Sequence, residues 1–199
     1  MQPDFLQAKF DAGLTYDDYL TTGTEAQRSG WNKIAAQIRE ESTLTDAQRR
    51  LLGAFKRQMK VLVVSGIWCG DCVRQGPMLQ AIADACGAEA GGTCSMRWLD
   101  RDEHMDLQER VQINAGNRVP VALFLSEDHQ LVSWAGDKLL SRYRIMAEQQ
   151  LGEGAQCPVA GAAIPADHLA AETADWVDEF ERVHLLLRLS GRLRQLHGD

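Results

Sequence analysis

Two cysteines separated by two residues, Cys69 and Cys72, follow the apolar run Lys60-Val-Leu-Val-Val-Ser-Gly-Ile-Trp68 and open a segment with helical spacing. At the start of a helix this spacing brings two sulfurs within bonding reach. The unpaired helix N–H groups and the positive end of the dipole favour a thiolate on the first cysteine. Reversible thiol chemistry follows, with Cys69 as nucleophile and Cys72 as the thiol that resolves it. Structural zinc is the rival, because zinc sites use the same spacing. A closed zinc site needs four ligands, and here Cys86, Cys94 and Cys157 stand apart. His104, His129, His168, His184 and His197 form no HxxxH pair. The spacing therefore favours a dithiol, with no metal.

Asp71 places a carboxylate between the two cysteines. Unit charges about 6 Å apart interact by roughly 0.7 kcal/mol in water and about 3 kcal/mol at an effective dielectric near 20. The helix dipole offers roughly 0.3–1 kcal/mol in the opposite sense, and up to about 2. The two are expected to cancel largely, leaving the Cys69 pKa without strong depression and the couple a reductant or exchanger. A plainer role for Asp71, as a first-turn carboxylate that favours the helix start, coexists with this one. Arg118 is either a group that steers acidic substrates or a solvated rim charge. Asp100-Arg-Asp-Glu-His104 is either a proton relay for Cys72 or a solvated turn. Cys86, Cys94 and Cys157 read as small, partly buried fillers. The alternative for the first two is a regulatory disulfide across the loop Gly87 to Thr93.

The elements that must hold these residues are legible from periodicity. Residues 1–58 read as helical, with Thr24-Glu-Ala-Gln27 and Thr45-Asp-Ala-Gln48 as capping boxes. Trp31, Ile34, Ile38, Leu51, Leu52 and Phe55 follow at helical spacing, so these helices are expected to cover a sheet. From Lys60 the pattern alternates, with strands near 60–66, 95–100, 120–126 and 130–135. Helices are expected near 70–86, bent at Pro77, and near 104–112 and 138–151. Residues 152–165, rich in Gly, Ala and Pro, read as a linker. A last helix over 167–189 buries Trp176, Phe180, Val183 and Leu187.

WCGDC at residues 68–72, Pro77 five residues beyond it, and Val119-Pro120 opening the apolar strand Val121-Ala-Leu-Phe-Leu125 fall in a familiar order. Together they make residues 59–151 resemble the thioredoxin superfamily, specifically bacterial thioredoxin-like proteins with a WCGDC active site. The resemblance implies an α/β, three-layer fold, a central mixed sheet flanked by helices, here with helical extensions over 1–58 and 152–199. It implies Cys69 and Cys72 as the catalytic pair, supported by Trp68, Gly70, Asp71, Pro77, Val119 and Pro120. Pro120 would be a cis-proline packed against the cysteines, and the Val119 backbone would pair with a substrate peptide. The plainer alternative is a trans-proline on an edge strand. Trp68 would belong to the exposed surface around the thiol rather than the core. Two departures stand out. Val63 occupies the place of the usual buried Asp, six residues before Cys69, and Asp71 replaces the usual Pro between the cysteines.

At 199 residues, 45% hydrophobic and 25% charged, the chain can bury one substantial core. A net charge of −7 and short basic clusters argue against a nucleic-acid partner. The first residues lack a basic start followed by an apolar stretch, and no run of about eighteen apolar residues occurs, which argues against export and against a membrane span. Five cysteines without a secreted framework fit a cytoplasmic protein with reduced thiols. The expected function is a thiol–disulfide oxidoreductase that needs no bound cofactor. It would act on disulfide-containing protein or small-thiol substrates and be restored by an external reductant. The alternatives are a redox-inactive binding module with the same fold, kept in play by the helical extensions, and a glutathione-linked, glutaredoxin-like activity.

Overall fold

The computed structural model describes residues 1–41, 43–88, 91–151 and 163–198. Strands β1 (Met59–Ser65), β2 (Cys94–Asp100), β3 (Val121–Leu125) and β4 (Leu131–Gly136) form one sheet in the order β2-β1-β3-β4. β1 pairs parallel with β2 and antiparallel with β3, and β3 pairs antiparallel with β4. β1 is buried on both sides apart from Lys60, which explains its continuous apolar sequence. The register places Val61, Val63 and Ser65 on one face with Trp98, Asp100, Ala122 and Phe124.

That face carries most of the helices. α5 (Gly70–Ala85) follows β1 directly and is tied to β2 through Trp98 Nε1, which donates to Gln80 Oε1 at 3.2 Å. α8 (Ala166–Leu189) sets Phe180 edge-on to Phe124, 5.1 Å between centroids. Trp176, Phe180, Val183 and Leu187 are all buried, as their spacing implies. On the opposite face α1 (Pro3–Ala12) lays Phe10 beneath Lys60 and Arg97. Helices on both faces of a mixed sheet give the three layers anticipated from the sequence.

The first helices are built into the core. After α1, the Leu14 backbone exchanges two hydrogen bonds of 2.9 Å with Trp98 on the outer edge of β2. The chain then crosses to the cysteine-bearing face as α2 (Tyr16–Thr21) and α3 (Glu25–Glu40). Tyr19 stacks on Trp98 at 5.6 Å, and Trp31 stands edge-on to it at 5.8 Å. Both capping boxes are formed, at Thr24 on α3 and at Thr45 on α4 (Asp46–Gly53). Trp31 packs so tightly over α5 that a Cβ on Gly76 would lie 2.0 Å from its ring. α5 runs on through Pro77, which is buried within it.

Two elements differ from expectation. The helix expected over 104–112 is only α6 (Met105–Gln108). Asn114 and Ala115 then take φ of 48° and 55°, values that turn the chain back instead of continuing a helix. Beyond α7 (Leu140–Leu151) and α8, a further helix α9 (Gly191–His197) starts at Ser190, whose hydroxyl accepts the Leu193 N–H. Most of the expected linker, with Cys157, lies outside the described residues. Its end is held where Ile164 N–H and C=O bond to the Gln37 side chain at 3.1 and 2.5 Å.

Candidate active site

β1 ends at Ser65, and the turn Gly66-Ile67-Trp68 hands the chain to α5 with Cys69 as its N-cap. Cys69 takes extended φ/ψ, and its sulfur stands near the Asp71 and Cys72 N–H groups without closing a full capping bond. The turn is braced by Cys69 N–H to Gly66 O at 2.9 Å and by Trp31 Nε1 to Ile67 O at 3.1 Å. Cys69 is half-buried, whereas Cys72, one turn on, is fully buried and accepts the Gly66 N–H on its sulfur at 3.4 Å. Both are free thiols in mutual side-chain contact.

Val119–Pro120 is cis and faces the pair. Cys69 Sγ lies 3.8 Å from the Val119 carbonyl, to which the thiol donates. Gln108 Nε2 holds the Arg118 carbonyl at 3.1 Å, and Arg101 Nη1 holds that of Asn117 at 3.2 Å. From behind, Gly136 presses on this loop so closely that a Cβ there would be 2.2 Å from the Pro120 oxygen. With φ at 136°, it is a position for glycine on both counts. Trp68 is 48% exposed, its ring covered on one side by the Arg101 guanidinium at 4.7 Å. Gly70 is exposed at the helix start.

The two thiols are strongly unequal. The hydrogen bond from Cys72, helped by the backbone N–H groups of Cys72 and Asp71, brings the Cys69 pKa down to about 6 against the opposing effect of burial. Cys72 is pushed well up, first by burial and then by the same contact with Cys69. This corrects the expectation that Asp71 would cancel the helix's help. Asp71 does raise the Cys69 pKa, but as the weakest of the named influences. Its carboxylate is paired with Lys138 Nζ at 2.8 Å and lies 3.7 Å from Arg142 Nη2, cations whose charge opposes its own at the sulfur.

Lys138 belongs to a wider charge cluster. It also donates to Asp137 Oδ2 at 2.6 Å, while Tyr143 OH donates to Oδ1 at 2.6 Å and Arg118 approaches at 3.5 Å. Gln75 Nε2 donates to the Asp137 carbonyl at 2.8 Å, and Trp176 Nε1 donates to Gln75 Oε1 at 3.0 Å. Arg118 thus ties the cis-proline loop to the end of β4. None of Lys138, Arg142, Asp137 or Tyr143 was singled out in the sequence, where nothing local marks them as neighbours of Cys69. His104 turns instead toward Lys9 Nζ, at 3.2 Å, and Asp102 pairs with Arg101. Cys86 and Cys94 are free thiols in side-chain contact, the pKa of Cys94 raised chiefly by that contact.

Among the described residues no helix is long and apolar enough to cross a membrane, and no group of three or more His, Cys, Asp or Glu side chains is gathered as metal ligands. Comparison with curated proteins gives no match. Two solved structures share the fold. One is a protein of unknown function from Pseudomonas aeruginosa, 15% identical, with a TM-score of 0.67 over 88% of this chain and 93% of that one. The other is an HIV epitope scaffold, 14% identical, with a TM-score of 0.65 over 89% and 95%. The family model described as thioredoxin matches residues 13–136, taking in α2, α3 and α4 as well as the sheet. With more than half its length matched in this way, and with the three-layer fold in place, the chain belongs to the thioredoxin family.

Proposed function

We propose that this chain is a thiol–disulfide oxidoreductase working as a disulfide reductase. The observation that carries the reading is the inequality of two touching thiols. Cys69 is partly open, with its pKa lowered to about 6, while Cys72 is sealed and held protonated. Near neutral pH Cys69 is therefore largely thiolate and attacks a substrate disulfide. A mixed disulfide forms and the first substrate sulfur leaves. Cys72 then attacks Cys69, the second substrate sulfur leaves as a thiol, and an internal Cys69–Cys72 disulfide remains. Val119 and cis-Pro120, facing the cysteines, offer backbone groups for an extended substrate segment. Trp68, Gly70 and Asp71 form the rim of the same opening, and Pro77 lies deeper in α5.

A Cys69 pKa of about 6 is nearer the value of about 7 found in a reductant such as thioredoxin than the value near 3.5 of a strong oxidant. That difference supports reduction as the direction. Its substrates are disulfide-bearing proteins or small disulfides, and a separate reductant returns the dithiol. Four free thiols among the described residues suit a reducing compartment such as the cytoplasm. Reduction of insulin or of a model disulfide, abolished by Cys69→Ser, tests the reading. Cys72→Ser should accumulate mixed disulfides on Cys69. Binding without turnover would indicate an adaptor instead, and recycling by glutathione alone would make the activity glutaredoxin-like.

A further inference from the structure

Cys72 must lose its proton to attack Cys69, yet it is fully buried and its pKa is driven well up by that burial. Val63, buried in β1 six residues before Cys69, supplies no base. The polar side chain that reaches Cys72 from the sheet is Ser65. Its hydroxyl acts on both the Cys72 thiol and the Tyr19 phenol, lowering the pKa of each. Neither contact closes to full hydrogen-bond geometry: Ser65 Oγ and the Tyr19 hydroxyl are both buried without a satisfied partner. Leaving a buried hydroxyl unsatisfied costs about 1–3 kcal/mol, so two of them side by side call for an explanation. Ser65 is paired in register with Asp100, and their side chains emerge on the face that Tyr19 covers. Asp100 is half-buried, and its charge is felt by Tyr19.

We propose that Ser65 and Tyr19 carry the Cys72 proton out to Asp100, so that helix α2 completes the site. The inference rests on the exchange reading above. Ser65 Oγ accepts the proton of Cys72 while its own passes to the Tyr19 oxygen, and the phenol proton passes to the Asp100 carboxylate. The sulfur lone pair of Cys72 forms the bond to Cys69. The bond between Cys69 and the substrate sulfur breaks, and its electron pair leaves with that sulfur, which takes a proton from water. Asp100 returns its proton to solvent. Ser65 touches the reacting sulfur and is catalytic in this step. Tyr19 acts through it.

The test uses the reduced full chain and Ellman's reagent in a stopped flow, where attack by Cys69 releases one thionitrobenzoate and resolution by Cys72 releases the second. Cys72→Ser identifies the second release. Ser65→Ala and Tyr19→Phe each remove one oxygen. Both should leave the first release unchanged and slow the second by about tenfold or more, the lower edge of general acid–base contributions. The deficit should close as pH rises and hydroxide deprotonates Cys72 directly. The groups acting on Cys72 are Cys69, Ser65 and the Gly66 N–H, and those acting on Tyr19 are Ser65, Cys72, Asp100 and Cys69. Cys69 is blocked as the mixed disulfide during the second release, so the profile reports Cys72. An unchanged second release in either variant, or equal slowing at every pH, overturns the relay. Failure of the wild-type chain to make the first release overturns the exchange reading itself, and the two failures are distinct.

Discussion

Replacing Lys138 by Met should unmask the charge of Asp71 and raise the Cys69 pKa. Lys138 Nζ is 2.8 Å from Asp71 Oδ2, and the other cation, Arg142, stands off at 3.7 Å. An uncompensated carboxylate about 6 Å from the sulfur opposes the thiolate by roughly 0.7 kcal/mol at the dielectric of water and about 2.8 kcal/mol at an effective value of 20. At about 1.36 kcal/mol per pKa unit, that spans about 0.5 to 2 units. Asp71 is 27% exposed and keeps Arg142 nearby, so the lower half of the span applies. The Cys69 pKa should move from about 6 to nearly 7, and the thiolate fraction at pH 6 should fall accordingly. The assay is the pH dependence of iodoacetamide alkylation, read on the Cys69 peptide by mass spectrometry. Asp71→Asn should restore the value in the Lys138→Met background and, alone, leave it at or below that of the parent. A Lys138→Met chain with an unchanged or lower Cys69 pKa would refute the reasoning, as would Asp71→Asn raising it. Asp137 loses its 2.6 Å partner in this variant but keeps Tyr143 and Arg118, so a thermal melt should accompany the titration.

Gly76→Ala should destabilise the chain by about 1–3 kcal/mol or more, because the new Cβ would meet the Trp31 ring at 2.0 and 2.5 Å within a packed interface. Urea unfolding reads this, and an unchanged midpoint would show that α3 and α5 are not in close contact. His184 is 7% exposed, stacked on Phe55 at 3.9 Å, with its pKa lowered by burial and then by Arg188. The folded chain therefore refuses a proton that the unfolded chain accepts, and stability complete above about pH 6.5 is lost as pH falls below it. His184→Phe should flatten that loss between about pH 6.5 and 5, a change visible in melting temperature against pH. Parallel curves for parent and variant would contradict the assignment.

Features encoded within a few residues were legible in the sequence. The capping boxes at Thr24 and Thr45, the unbroken apolar character of β1 and the burial face of α8 each follow from local spacing. The CxxC at a strand-to-helix turn was readable for the same reason. The charge balance around Cys69 was not, because Asp71 finds Lys138 and Arg142 on a segment that only the folded sheet brings near. Ser65 and Tyr19 were silent likewise: a serine ending a strand and a tyrosine in a short helix carry no mark of a shared interior. α6 stops at Gln108 and the chain turns left-handed later, at Asn114 and Ala115, a course that the helix-compatible residues over 104–112 concealed.

The hydrogen bond from Trp31 to the Ile67 carbonyl sets a limit on minimal engineering. A shortened chain starting at the first strand would keep both cysteines and the proline opposite them. It would also strip away the indole that pins their turn and leave an aromatic wall open to water. Anyone grafting this pair of cysteines into another scaffold must transplant the leading helices with it.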